Sequence, residues 1–271
     1  MRRMRLAGFG ALLLALTGLA ALFAPWLAPH DPAAVSLADR LMPPLSPNHV
    51  LGTDALGQDV LSRVIYGARV SLLVGITAVA ISGAIGITLG LLAGYYGNLI
   101  DDVIMRIGEV QLAFPTIILY VAVMAVLGPG LLKLIAVIGV VGWVQYARVE
   151  RAMTLSAKEN EYVQAARALG APDYRIMLRH ILPNTLGPII VIASFGLAST
   201  IVIEASLSFL GLGVPPSVPS WGSMLADGRD YLRAGWWVAT FPGLALTLTV
   251  LAVNLLGDWL RDELDPLLRV A

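Results

Sequence analysis

Glu161–Asn184, EYVQAARALGAPDYRIMLRHILPN, is the polar centre of an interruption that runs from Arg148 to Thr185 between long apolar runs. In a chain whose other segments suit lipid, it sets two short helices and a Gly-Ala-Pro-Asp turn on one side of a membrane. The first helix, Glu161 to Leu169, carries Ala165, Ala166 and Ala168, small side chains that let another protein's surface approach the backbone. Gly170 stands where a left-handed residue ends a helix. Ala171 then leads to Pro172, placed where the next helix begins and where a missing N–H costs nothing, with Asp173 beside it. Tyr174, Met177, Leu178 and Ile181 fall at i, i+3, i+4 and i+7, one face of that second helix. Two helices joined at a tight corner make a knob.

The rest of the chain points to a bilayer. Apolar residues are 58% and charged residues 13% of the sequence, about half the charged share of soluble domains. Several apolar runs approach the roughly 20 residues that cross the hydrocarbon core. We read one polytopic domain over 1–271 with six spans at about 7–28, 72–95, 103–127, 131–147, 187–206 and 236–258. The first span follows Arg2, Arg3 and Arg5, and its apolar run exceeds the ~7–15 residues of a cleavable signal core, so it reads as an uncleaved anchor. The formal net charge of zero argues against a nucleic-acid partner. The absence of cysteine excludes disulfides, thiolate metal sites and cysteine nucleophiles.

Orientation follows from the basic residues. With the N-terminus inside, only Arg40, Arg63, Arg69, Lys133, Arg229 and Arg233 of the 18 basic residues fall outside, and the other twelve, Arg269 among them, fall inside. The two-to-one bias places the knob, 148–185, and both termini in the cytoplasm. Two polar segments, 30–70 and 207–235, then lie outside. The first contains a short amphipathic stretch from Val60 to Tyr66. The second holds Gly211, Gly213, Pro215, Pro216, Pro219 and Gly222 around Trp221, too many breakers for a continuous helix. Its apolar start, LSFLGLGV, suggests a segment that dips toward the membrane, where protein or pore water covers its backbone. A surface loop held by Trp221 is the alternative.

Gln164, Ala165 and Ala166, then Gly170, then Leu182 and Pro183, resemble the EAA loop of ABC-transporter permeases. Gln164 replaces the usual Glu and His180 the usual Ile, and with Glu161 and Asn184 these departures resemble the peptide and nickel branch of that family. LGTDALGQDVLSRVIYGARVSLLVG (51–75), EASLSFLGLGVPPSVPSWGSML (204–225) and NLLGDWLRDELDP (254–266) resemble the same dipeptide/oligopeptide permease subunits. The resemblance implies an all-α membrane protein of the type I importer permease fold, with six transmembrane helices, cytoplasmic coupling helices and a scoop-like outer loop. It implies that Glu161, Gln164, Ala165, Ala166, Gly170, Ala171, Pro172, Asp173, His180, Leu182 and Pro183 couple the chain to an ATPase. The implied partners are a second, homologous permease, two ATP-binding subunits and an extracytoplasmic binding protein, in a prokaryotic inner membrane. The implied cargo is a dipeptide or oligopeptide, with nickel as the alternative.

No cofactor is expected on this chain; ATP and Mg belong to the partner subunits. A phosphate loop needs a lysine after its last glycine, whereas the only lysines, Lys133 and Lys158, follow Leu132 and Ala157. No metal site is expected, because His30, His49 and His180 are scattered over two faces and no HExxH occurs. No Gly-x-Ser-x-Gly elbow offers a nucleophile. Among charges near spans, Arg106 and Glu109 read as a pair on one helix face, and Asp258, Arg261, Asp262 and Glu263 as an interfacial cluster. Glu204, with Ser208, Phe209, Gly211, Gly213 and Trp221, makes up the candidate pore or scoop, and hydrogen bonding of Glu204 to the outer loop is the alternative to lining a pore. Gly86, Gly90 and Gly94 form GxxxG steps for close helix packing, with a second permease subunit as one partner for that face. An ion-driven secondary transporter is the competing class, but the internal repeat it would usually show is not seen.

Overall fold

The computed structural model describes residues 2–264. Pro266 and Arg269 lie outside the described residues. Among the described residues the chain is helical without a strand, and only two isolated bridges occur, Ser46 with His49 and Thr53 with Asp59. The helices in chain order are α1 (Arg2–Leu22), α2 (Ala24–Leu27), α3 (Val60–Tyr96), α4 (Asn98–Leu112), α5 (Thr116–Leu127), α6 (Leu131–Val141) and α7 (Trp143–Ala157). They continue with α8 (Glu161–Ala168), α9 (Asp173–Arg175), a π-helical turn Ile176–Ile181, α10 (Leu182–Phe209), α11 (Trp221–Arg229) and α12 (Trp236–Leu264).

Several helices depart from the expected spans. The amphipathic stretch Val60–Tyr66 is no separate element but the first turns of the 37-residue α3, started by Asp59, whose side chain accepts from the Ser62 amide. The stretch read as a single span over 103–127 is two helices, α4 and α5, bent by 85° at Ala113–Pro115. Pro115 supplies no N–H and drives Phe114 out of helical geometry, which breaks the run. Nor is the second knob helix separate: α9, the π turn and α10 form one unbroken helix, Asp173–Phe209. Among the described residues four helices are long and apolar enough to cross a membrane, or five if the bent pair is one span, and Leu6–Leu22 is a shorter apolar helix. A count of six is reached only by adding both.

The spine of the fold is α3 lying against α7. Gly86, Gly90 and Gly94 recur every fourth residue along it, so they stack on one face. Added Cβ atoms there would meet the Trp143 carbonyl oxygen at 2.5 Å, the Ala147 carbonyl oxygen at 2.4 Å and Thr154 Cβ at 2.7 Å. The glycine ridge is thus covered by the chain's own α7, and a second subunit does not reach it. Nearer the start of α3, Val74 and Ala78 join Tyr120, Met124, Leu134, Val137, Ile138 and Leu207 in the largest of the buried clusters. The segment between α2 and α3 folds onto α11 and α12, where Val60, Met224, Trp237 and Val238 are buried together.

Candidate functional site

The knob is built onto the C-terminal end of α3. Val163 and Ala166 from α8 bury against Leu91 and Tyr95 of α3, Ala157 of α7, and Ile176, Met177 and Ile181 of the π turn. Gly170 has φ +77, the left-handed value that only glycine adopts without strain, and its Cβ direction is open. Pro172 precedes the first turn of α9. Tyr95 Oη donates to Asp173 Oδ1 at 2.7 Å, and the Arg167 guanidinium lies over the Tyr95 ring at 5.7 Å. The corner is therefore held from below by one aromatic residue that bonds both of its arms.

Two expectations about the knob change. Ala166 faces the chain's own core and is buried, whereas Ala165 and Ala168 are exposed. Tyr174 and Leu178 do not share a face with Met177 and Ile181: they are 60% and 58% exposed while the other two are buried. The π turn, with its i→i+5 spacing, moves the buried set to Ile176, Met177 and Ile181. The exposed surface of the knob carries Leu169, 88% exposed, with Tyr162, Tyr174 and Leu178, interspersed with the exposed Arg167, Arg175 and Arg179. Glu161, Gln164, Pro172, Asp173 and Pro183 are exposed around it, and Ala171, His180 and Leu182 are half-buried. Gln164 Nε2 bonds the Glu159 carbonyl, and His180 offers its carbonyl to Asn184 Nδ2.

Behind the knob sit residues that sequence reasoning missed. Glu150 on α7 is fully buried and accepts from Thr185 Oγ1 on α10 at 2.9 Å and from Thr154 Oγ1 at 3.2 Å. Arg151 forms an ion pair with Asp101 of α4 through both carboxylate oxygens. Their shared signal is an Arg-Val-Glu-Arg run closing an apolar helix, which is easily read as orientation charge alone. Arg106 and Glu109 do pair, at 3.1 Å, with both side chains exposed.

At the opposite end of the molecule, Glu204 is fully buried and accepts from Ser71 Oγ at 2.9 Å and Ser208 Oγ at 2.8 Å. It is buried within this chain, and its hydrogen-bond partners Ser71 and Ser208 lie on the helices α3 and α10. Ser208 Oγ receives the Val214 amide at 3.4 Å, and an added Cβ on Gly213 would overlap it, so the loop folds back tightly over α10. Phe209 is partly exposed under the Arg229 guanidinium at 5.6 Å, and Gly211 takes φ +75 at the turn. Trp221 is 1% exposed and donates from Nε1 to the Val64 carbonyl at 3.0 Å, which pins α11 to α3. Arg63 binds Asp54 and Gln58 and reaches Asp227 at 3.4 Å, which ties the 30–70 segment to the 207–235 segment. The Asp227 carboxyl is raised above its usual range by partial burial, against the pull of Arg63.

Of the three histidines spread over two faces, the two in the 30–70 segment come together. His30 and His49 meet at Asp59, with His49 Nδ1 3.0 Å from its Oδ1.

A polytopic helical chain with a two-helix knob at one end matches one family model over most of its length. Residues 86–270 match the binding-protein-dependent transport system inner membrane component, and residues 1–44 match the N-terminal TM domain of oligopeptide transport permease C. The chain belongs to this family of permease components. The di/tripeptide transport system permease protein DppC of Pseudomonas aeruginosa (strain UCBPP-PA14) is 47% identical over 268 residues, 97% of this chain and 88% of the relative. The probable D,D-dipeptide transport system permease protein DdpC of Escherichia coli (strain K12) is 43% identical over 256 residues, 94% of this chain and 86% of the relative. A chain of the MetNI methionine ABC transporter in an inward-facing conformation shares the fold. Its TM-score is 0.58 at 19% identity, covering 75% of this permease component and 96% of that chain. The permease component is accordingly a multi-pass inner-membrane protein.

Proposed function

We propose that this permease forms half of the translocation path of an ATP-driven importer of dipeptides or oligopeptides, coupled mechanically to separate ATPase subunits through the knob. The observation that carries the reading is the knob itself: an exposed apolar cap of Leu169, Tyr162, Tyr174 and Leu178 on a corner anchored by Tyr95 and Asp173. A monomer gains nothing by exposing such a cap next to a charged surface, whereas a partner groove would cover it. The relatives named for di/tripeptide and D,D-dipeptide transport support a peptide cargo.

In this reading ATP binding closes two nucleotide-binding subunits and pushes the knob. Because α9, the π turn and α10 are one helix, displacement at Asp173 is carried along its axis into the membrane. The helices then tilt from inward-open to outward-open, and an extracytoplasmic binding protein releases peptide into the path shared with a second, homologous permease. The knob and both termini face the cytoplasm, in line with the distribution of basic residues. The test is uptake of a labelled dipeptide by cells carrying the complete transporter. Leu169→Asp, which places a charge in the cap without touching the buried core, is expected to abolish uptake and ATPase co-purification while leaving the amount of inserted permease unchanged. Normal uptake in that variant contradicts the coupling role.

A further inference from the structure

Asp59 and the knob stand at opposite ends of α3, whose 37 residues make it about 55 Å long at 1.5 Å per residue. At the Asp59 end, His30, His49 and Asp59 each present one ligand atom, and these atoms all lie within 4.8 Å of one another. Asp59 Oδ1 is 3.0 Å from His49 Nδ1 and 3.8 Å from His30 Nδ1. The two imidazole rings are 4.8 Å apart, tilted by 31°.

The backbone fixes all three. His30 N donates to Ser62 Oγ at 3.1 Å, His49 N donates to the Ser46 carbonyl at 3.0 Å, and Asp59 bridges to Thr53. The other carboxylate oxygen, Oδ2, is engaged by the amide and hydroxyl of Ser62 at 2.8 and 2.7 Å. That engagement turns Oδ1 toward the imidazoles, the role that outer hydrogen bonds play in orienting a ligating carboxylate. Asp59 and His49 side chains are 1% and 12% exposed. His30 Nδ1 is buried without a hydrogen-bond partner, a cost that a ligand at this point would remove.

We propose that His30, His49 and Asp59 bind a divalent transition-metal ion of the zinc class. Two imidazole nitrogens and one carboxylate oxygen form a three-ligand set that leaves a fourth position open. Calcium and magnesium prefer all-oxygen shells, so nitrogen donors select against them. Bonds of about 2.0–2.2 Å in tetrahedral geometry put ligand atoms about 3.3 Å apart, between the two separations to Asp59 Oδ1. The His30 side chain is 35% exposed, which lets water complete the coordination. The ion would add one more link between the residues after α2, the loop before α3 and the N-cap of α3, segments already joined by hydrogen bonds such as His30 N to Ser62 Oγ and Val60 N to the Gly52 carbonyl.

The experiment uses the full chain purified in detergent through a histidine-free tag, stripped with chelator and titrated with ZnCl2. Retained zinc is measured by elemental analysis, and thermal stability is followed alongside. One zinc ion per chain and a raised Tm are expected, and CoCl2 is expected to give visible absorption bands of nitrogen- and oxygen-coordinated cobalt. His30→Gln with His49→Gln should abolish retention. His180→Gln, which removes the only other histidine, should leave it intact. Asp59→Asn keeps a capping side chain on α3 and should weaken retention even if the double variant does not fold. Absence of zinc retention by the unaltered chain at micromolar zinc overturns the proposal, as does equal retention by Asp59→Asn.

Discussion

At Gly170 a single backbone angle decides whether the knob turns its corner. With φ +77 and open space around its Cβ direction, a side chain there fits sterically but strains the backbone by about 1–2 kcal/mol. Under the proposed coupling, Gly170→Trp is therefore expected to insert into the membrane yet fail to bring ATPase subunits through co-purification, because the bulk stands at the corner proposed to dock. The two neighbouring alanines, which look alike in sequence, separate in the structure. Ala166→Leu forces carbon into the cluster of Val163, Ile176 and Ile181 and should lower stability by about 1–3 kcal/mol. Ala165→Leu is exposed and should change stability by no more than about 0.5 kcal/mol, while reducing ATPase co-purification. Thermal unfolding in detergent, with ATPase recovery measured on the same samples, distinguishes the two. The pattern of small residues was legible in the sequence; which of them faces inward was not, because the π turn changes the register of the helix against which α8 packs.

Among the helices, the α3–α7 contact is the least forgiving. At Gly90 an added Cβ already meets a backbone carbonyl at 2.4 Å, and backbone cannot move aside as a flexible side chain can. Gly90→Leu is expected to lose more stability than Ala166→Leu, measured by the same thermal unfolding. The GxxxG steps announced a close helix contact, and the sequence left the partner open because a glycine face looks identical whether its neighbour is in the same chain or another. Trp221 illustrates the same division. The breakers around it predicted an irregular loop, but its burial against Val64 comes from pairing two segments far apart in sequence. Trp221→Ala should cost about 3–5 kcal/mol as a large-to-small change in a buried cluster. The third apolar run shows what composition does not carry: it reads as one continuous span, and Pro115 divides it into two helices with an 85° bend.

Across the molecule, the knob sits at one end of α3 and the Arg63, Trp221 and Asp59 contacts at the other, with the glycine-packed spine between them. This arrangement suits the proposed coupling, in which the knob receives force at one pole and a solute-delivering partner acts at the other. Buried charge was the hardest feature to read from sequence. Glu204 is held by serines from two elements, and Glu150 joins α7 to α10 through Thr185, pairings that depend on packing rather than on local pattern. The meeting of His30 with His49 has the same origin. The central claim is that this chain works only as the membrane half of an ATP-driven assembly. Purification of the tagged chain from native membranes in mild detergent, with an ATPase assay and mass identification of what accompanies it, tests that claim most directly. Recovery of two ATPases and a second permease, lost in Leu169→Asp, is the predicted result; a chain that purifies alone and still moves solute down an ion gradient would contradict it.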